Sequence, residues 1–354
     1  MKKGSCKKVS LDLRKIRILQ AIIDDYILTA SPVGSRAISK HPDINLSSAT
    51  IRNEMSDLEE YGYLEQPHTS AGRIPSDKAY RYDVNSMMQR AMLTEDELKF
   101  IEQHFSRTVD DADKIIRQTA MVLSDMTNYA TMVLPPNPSA IRLRRIELVP
   151  VTDGKALVVI VTNLGVSSDT LIRIPKGITA DRLHQLSNML TDNFANCRIE
   201  DITANKIALM TDILGSGKEY IDEMLARFKG TILTNKSNVE FFGTSKLLDY
   251  PEYSDVDKAK ALLDTIERKD SFKTAISGAS NLEFSITIGS ENNDPIIKDC
   301  SVVTATYRVS GEKLGSLGVI GPTRMDYSRV LALLEHFGKS LGTVLTNMID
   351  EENN

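Results

Sequence analysis

Apolar residues near the start of the chain recur at spacings of three and four, the period of a helix with one buried face. The first such run predicts a helix over residues 11–29. Its repeating apolar side chains are Ile16, Leu19, Ile23 and Ile27. Pro32 should end the run, because the residue before a proline is pushed out of helical geometry. A second, short helix is predicted over 33–39.

A third amphipathic segment begins after Ser47, which has the side chain expected of a helix N-cap. On a helical wheel, Ile51, Met55 and Leu58 share one narrow sector and should face a core. The opposite side carries Ala49, Arg52, Asn53 and Ser56. The first half, from Ser47 to Asn53, contains no acid. Small and uncharged or basic side chains there suit a helix that enters the DNA major groove by its N-terminal residues. Taken alone, the segment would favour an ordinary amphipathic surface helix.

The next residues supply the context that decides between these interpretations. Tyr63–Gln66 can pair with Arg73–Ile74 around a tip at 67–72. Three helices followed by a small hairpin predict a winged helix-turn-helix over 10–75, with the hairpin as its wing. Ser76 and Asp77 should start another helix.

The candidate DNA-binding residues lie on the third helix, the second helix and the wing. Arg and Asn suit guanine and adenine edges, and an arginine beside a glycine at the wing tip can reach a phosphate or the minor groove. Base reading is assigned to Ser48, Ala49, Arg52 and Asn53; positioning is assigned to Arg36, Thr50, Ser70 and Arg73; Ser47, Ser56 and His68 complete the predicted surface. Two alternatives stay open. Arg52 could pair with Asp57 or Glu59, and His68 could simply be solvated.

Charge favours this assignment weakly. Residues 1–90 hold 14 Lys and Arg against 11 Asp and Glu, whereas the whole chain has a net charge of −5. The module expected to bind a duplex is therefore the less acidic part.

The rest of the chain reads as an α+β body. Helices are predicted over 76–92, 96–132 and 179–195, and the run Pro135–Pro138 should break the chain. Six strands are predicted over 142–151, 156–163, 168–174, 283–288, 300–309 and 313–320, and a last helix over 327–348. Between the third and fourth of these strands, the pattern over 200–275 predicts a mostly helical insertion. It should contain a strand or turn at 239–242 and a helix over 255–268. The alternative is that this segment only extends the body.

Four stretches resemble the bacterial heat-inducible transcription repressor family HrcA. They are Pro-Val-Gly-Ser-Arg (32–36), Ser-Ser-Ala-Thr-Ile-Arg-Asn-Glu-Met-Ser-Asp-Leu-Glu (47–59), Gln-Pro-His-Thr-Ser-Ala-Gly-Arg-Ile-Pro (66–75) and Ile-Gly-Pro-Thr-Arg-Met-Asp-Tyr (320–327). The sequence departs from the family pattern at Ala30–Ser31, where Gly-Glu is expected, at Ala79, where glycine is usual, and over 81–85.

The resemblance implies a three-part organisation. The parts would be a winged-helix domain at 1–92, a GAF-like body at 93–199 and 276–354, and an inserted dimerisation domain at 200–275. It further implies a homodimer that represses chaperone operons through an inverted-repeat operator and needs a GroE-type chaperonin to reach or keep its active state. A small-molecule-responsive regulator with its effector in the body is the alternative.

The sequence gives little support for a membrane protein, a secreted protein, a metalloprotein or an enzyme. The sequence has no run of about 18 apolar residues, as a membrane span requires, and its basic N-terminus is not followed by an apolar signal core. We therefore expect a cytoplasmic protein. Three scattered cysteines predict neither a disulfide framework nor a zinc site. The Gly-Ser-Gly-Lys run at 215–218 lacks the first glycine and the Ser/Thr of a phosphate-binding loop. No catalytic residue, metal or cofactor is predicted.

Overall fold

The chain is an α+β protein built around three antiparallel sheets, as seen in a computed structural model. The structure describes residues 11–68, 71–105, 111–134, 141–174, 176–198, 201–202, 239–269, 272, 283–292, 294–309 and 312–351. The basic N-terminus, Ser70, the 215–218 run and most of the predicted insertion lie outside these residues. Across the described part of the chain, every helix is too short or too polar to cross a membrane.

The N-terminal part contains the three helices and the hairpin that the sequence predicts. The helices are α1 (Leu13–Thr29), α2 (Ser35–Ile38) and α3 (Ser48–Glu60). The hairpin, residues 63–75, pairs β1 (Leu64–Glu65) with β2 (Ile74–Pro75).

Capping and burial explain where α3 begins and how it is oriented. The hydroxyl of Ser47 accepts a hydrogen bond from the Thr50 backbone N–H at 3.1 Å, which confirms the predicted N-cap. Ile51, Met55 and Leu58 are the buried residues of the helix, also as predicted. They lie in the same hydrophobic cluster as the apolar residues of α1. The buried stripe therefore fixes which side of α3 faces solvent.

The helix after the hairpin is shorter than predicted. α4 (Asp77–Tyr82) begins at the Ser76 N-cap and continues as one turn of π-helix over Asp83–Met87. The predicted helix over 76–92 therefore ends five residues early.

A five-stranded antiparallel sheet forms the centre of the body, with the order β7-β3-β10-β9-β8. Its strands are β3 (Ala130–Leu134), β7 (Glu240–Phe242), β8 (Phe284–Ile288), β9 (Cys300–Val309) and β10 (Glu312–Pro322). One face packs against α6 (Ala112–Thr127) and α9 (Tyr327–Glu351), and α5 (Glu95–Phe105) packs on α9. The other face contributes to a second cluster with α8 (Val256–Arg268). Both faces of the sheet are thus covered.

A separate three-stranded sheet lies beside it. β4 (Leu143–Thr152), β5 (Lys155–Thr162) and β6 (Gly165–Arg173) form a meander that packs against α7 (Ala180–Phe194). The tight turn between β4 and β5 has Gly154 at φ +83°, a conformation that favours glycine, and the two strands pair antiparallel. The predicted strands of the body therefore divide between two sheets.

One prediction about the helices of the body is wrong in part. The helix predicted over 96–132 is two helices, and Ala130–Leu134 is strand β3. Asn128 adopts a left-handed conformation at φ +58° and its N–H bonds to Ser124 O at 2.9 Å, which ends α6. β7 pairs with β3, and α8 packs on the same sheet. Residues 239–269, at the end of the predicted insertion, therefore pack on the layers of the body.

Candidate nucleic-acid interface

The solvent-facing side of α3 carries the residue types expected to read DNA. Ala49, Arg52, Asn53 and Ser56 are exposed, and Ser48 and Thr50 are half-buried. Among the described residues, the side chains of Arg52 and Asn53 have no ion-pair or hydrogen-bond partner. Both side chains are thus available to a ligand.

Two acids in the second half of α3 are engaged by α1. Lys15 Nζ lies 2.6 Å from Glu54 Oε2 and 3.0 Å from Asp57 Oδ2. Hydrogen bonds to Glu54 and then to Asp57 raise the pKa of Lys15 above its usual range. The carboxylates of Glu54 and Asp57 are therefore largely neutralised within the protein, which lowers their repulsion of a phosphate backbone.

A third acid of α3 is engaged by the hairpin. Arg73 donates from Nε to Glu59 Oε2 at 2.9 Å, and its terminal nitrogen lies 2.8 Å from the same oxygen. The Arg73 side chain is 18% exposed. Arg73 therefore lies against α3 rather than projecting from the tip. Because Asp57 and Glu59 are paired elsewhere, the alternative ion pair from Arg52 does not form.

The backbone of the hairpin is also tied to the segment before α2. Val33 and Arg73 exchange two hydrogen bonds, each 2.9 Å long. Gly72 makes this approach possible, since a Cβ at that position would lie 2.4 Å from Val33 O. The sequence places Gly72 at the predicted wing tip but does not predict this close approach, because Val33 lies about forty residues earlier in the chain.

Three arginines line one groove between α2, α3 and the hairpin. The groove has a volume of about 490 Å³, and its basic residues are Arg36, Arg52 and Arg73. No acidic residue is among the described residues that line it. A groove with this charge favours an anionic ligand such as a phosphate backbone.

Several predicted contact residues also have roles within the protein. Ser47 caps α3, and the Ser48 hydroxyl donates to Ser39 Oγ at 3.0 Å, which joins the end of α2 to the start of α3. Ser56 Oγ bonds to Arg52 O at 3.1 Å. His68 is exposed on the hairpin, and Ser70 lies outside the described residues.

The sequence matches known proteins along nearly its whole length. A profile of the HrcA protein C terminal domain matches residues 113–331. A heat-inducible transcription repressor HrcA of Brevibacillus brevis is 38% identical over 338 residues, covering 96% of this chain and 99% of that protein. The protein of the same name from Ruminiclostridium cellulolyticum is 40% identical over 354 aligned residues, again covering 96% and 99%.

A solved structure has a similar fold. It is described as a hypothetical protein at 2.2 Å resolution, and it aligns with a TM-score of 0.69 and 23% identity over 96% of this chain and 100% of its own. The profile match over more than half of the chain and the full-length relatives agree with the motifs at 32–36, 47–59, 66–75 and 320–327. The chain therefore belongs to the HrcA family of heat-inducible transcription repressors.

Proposed function

We propose that residues 10–75 form a winged helix-turn-helix that binds operator DNA, with α3 in the major groove and the hairpin as its wing. The observation that carries this proposal is the arrangement of charge on α3. Arg52 and Asn53 are exposed, while Glu54, Asp57 and Glu59 are bonded to residues of α1 and the hairpin. The surface offered to a duplex is therefore less acidic than the sequence of the helix.

Arg52 and Asn53 would read base edges, because their side chains can form paired hydrogen bonds with guanine and adenine. Ala49 and Ser48 are small enough for the helix to approach the bases closely. Arg36, which lines the basic groove of the protein, and Thr50, in the first turn of α3, would contact phosphates. Ser47 and Ser56, at the start and on the exposed side of α3, would add to these contacts. His68, Ser70 and Arg73 would place the wing against the backbone or minor groove.

The active species would be a homodimer on an inverted repeat. A single helix in one groove buries too little surface for the affinity that a repressor needs at physiological salt. A two-fold dimer doubles the contacts and sets the half-site spacing. We assign dimer formation to the predicted insertion at 200–275, of which 239–269 pack on a body that we take to be GAF-like.

Release on heat stress would follow from the chaperone system. The relatives are named heat-inducible repressors. In our proposal the repressor reaches its DNA-binding state only with help from a GroE-type chaperonin. Heat-damaged proteins then compete for that chaperonin, the active fraction falls, and chaperone operons are expressed. Because each half-site binds weakly, a modest loss of dimer releases DNA steeply.

Two measurements test the dimeric mode of binding, and a third tests the role of the chaperonin. Sedimentation equilibrium should give a dimer, and fluorescence anisotropy should give much tighter binding to an inverted repeat selected from random DNA than to one half-site. A monomer that binds one half-site as tightly would contradict the dimeric mode.

Adding chaperonin to partly inactive protein should raise the fraction that binds operator. Full activity without it, or a rise in melting temperature with a metabolite, would instead favour direct temperature sensing or the small-molecule alternative.

A further inference from the structure

Arg324 joins three parts of the chain that are far apart in sequence. It belongs to the 320–327 motif, and only 8% of its surface is exposed. One terminal nitrogen donates to Ile27 O, in the last turn of α1, at 2.8 Å. The same guanidinium makes a bidentate pair with Glu252, in which the second hydrogen bond is 3.3 Å long. It also lies 5.4 Å from the ring of Tyr250.

These contacts link the predicted DNA-binding unit to the body through one side chain. Ile27 belongs to α1, Arg324 to the turn between β10 and α9, and Glu252 to the second of two short 3-10 helices that follow β7. α1 is in turn held to α3 by Lys15, which pairs with Glu54 and Asp57. A change of angle at Ile27 would therefore be passed to α3.

An arginine suits this position for a physical reason. Carbonyl groups in the last turn of a helix have no intrahelical donor, so a cation that donates to one of them stabilises the helix end. The planar guanidinium can bond to Ile27 and to both oxygens of Glu252 at once. A lysine at the same place is a single-point donor with a flexible stem, and it would not fix the orientation.

Other contacts between this unit and the body run through α4 and the residues after it. Arg81 on α4 bonds to Ile286 O at 2.7 Å and pairs with Glu291. Asp77 accepts from the Ser290 N–H at 2.7 Å. After α4, Arg90 and the Gln89 carbonyl contact side chains of α9. Among the hydrogen bonds and ion pairs that join the unit to the body in the described residues, those of Arg324 are the ones that reach α1.

We propose that Arg324 is a positioning residue that sets the angle of the DNA-reading unit on the body, and so the half-site spacing that the dimer accepts. This inference rests on the proposed dimeric binding to an inverted repeat. It predicts that weakening the Arg324 contacts broadens the range of spacings bound, while the affinity of each DNA-reading unit for a single half-site stays the same.

The test uses the full-length protein and a series of inverted repeats whose half-sites are separated by different numbers of base pairs. Arg324→Lys keeps the charge but loses the bidentate geometry, and Glu252→Gln weakens the pair without touching Arg324. Lys258→Gln is the matched control, since Lys258 and Asp299 form an exposed pair at 3.3 Å in the same body. Anisotropy titrations on the series and on a single half-site give the readout.

For the wild type and the control, we expect one strongly preferred spacing. In Arg324→Lys, the preference over a displaced spacing should fall about tenfold, the scale of one hydrogen bond to a charged group. Half-site affinity should not change. A preference that stays sharp in both variants would overturn the proposal. So would a loss of half-site affinity equal to the loss on the repeat, which indicates ordinary unfolding.

If Arg324→Lys does not fold, the spacing preference of Glu252→Gln tests the proposal by itself. A wild-type protein that binds repeats of every spacing with equal affinity would contradict the proposed dimeric binding itself. Failure of that proposal can therefore be distinguished from failure of the proposal about Arg324.

Discussion

Glu59 accepts a hydrogen bond from Arg73 Nε at 2.9 Å and lies 2.8 Å from a terminal nitrogen of the same guanidinium, so that the C-terminal half of α3 holds the hairpin. The pair joins residues that are fourteen positions apart in the chain. It ties the helix to the hairpin, and it engages the carboxylate of Glu59, while Arg73 also lines the groove with Arg36 and Arg52.

Replacing Arg73 should therefore affect all DNA to the same degree. Arg73→Ala removes the tie to Glu59 and one positive charge from the groove, and neither of these reads a base. We expect operator and scrambled duplexes to lose affinity by the same factor in anisotropy titrations. The loss of protein stability should be about 0.5–1 kcal/mol, as for a partly exposed pair. Arg117→Ala, which removes an exposed pair to Glu240 in the body, is the control. A loss confined to the operator would show that Arg73 reads sequence.

Gly72 should not tolerate a side chain. Its Cβ would lie 2.4 Å from Val33 O and 2.9 Å from Pro32 C, both of them backbone atoms that cannot move aside cheaply. Gly72→Ala should lower the free energy of unfolding by about 1–3 kcal/mol, the range for overpacked sites. Gly34→Ala is the matched control, because a Cβ there would meet no atom within 4 Å. Equal urea midpoints for the two variants would contradict the close approach.

Ala30 is a site where the protein can be stabilised. It ends α1 at φ +52° and ψ +20°, a left-handed conformation that costs an alanine about 1–2 kcal/mol. Glycine is expected at this position from the family pattern, and the left-handed backbone conformation explains that preference. Ala30→Gly should raise the melting temperature, with a net gain of about 0.5–1 kcal/mol after the entropy of glycine is subtracted. Ala37→Gly is the control: it should lower the melting temperature, because glycine is unfavourable within a helix such as α2. A lower melting temperature for Ala30→Gly would contradict the account.

Asp83 should make stability depend on pH. It is 5% exposed, its Oδ1 has no hydrogen-bond partner, and burial followed by the nearby Asp24 raises its pKa to about 6. The folded protein therefore binds this proton more tightly than the unfolded chain does. The resulting stabilisation is fully present below pH 4 and is lost as the pH rises through about 6.

Asp83→Asn should then stabilise the protein at pH 8, by about 1–3 kcal/mol at 1.36 kcal/mol per pKa unit, and less at pH 5. Urea unfolding of both proteins at the two pH values measures this difference. Asp264→Asn, at an exposed position on α8, is the control. A gain that is equal at pH 5 and pH 8 would show that the carboxylate charge is not the cause.

Local patterns predicted local structure well. The spacing of Ile51, Met55 and Leu58 correctly predicted the buried face of α3, and Ser47 correctly predicted where the helix begins. The helix predicted over 96–132 ran into strand β3, because a short apolar run has no periodicity that separates a strand from a buried helix. The signal that was missed is Asn128, whose residue type tolerates the left-handed geometry that ends α6.

Long-range contacts could not be inferred in the same way. The pairing of β7 with β3, and the division of the predicted strands between two sheets, depend on partners that no local pattern specifies. For the same reason Arg73 was predicted at a wing tip although it lies against Glu59. Arg324 was part of a recognised motif, but its partner Ile27 lies 297 positions away.

The central claim is that the exposed face of α3 reads DNA sequence, and Asn53 is the residue that tests it most directly. The measurement is the affinity of Asn53→Ala for the selected operator and for a scrambled duplex at one fixed salt concentration. Asn193→Ala, an exposed asparagine on α7, is the control. We expect Asn53→Ala to lose about 1–3 kcal/mol on the operator and nothing on the scrambled duplex, while the control loses nothing on either. An equal loss on both duplexes, or no loss at all, would contradict the claim.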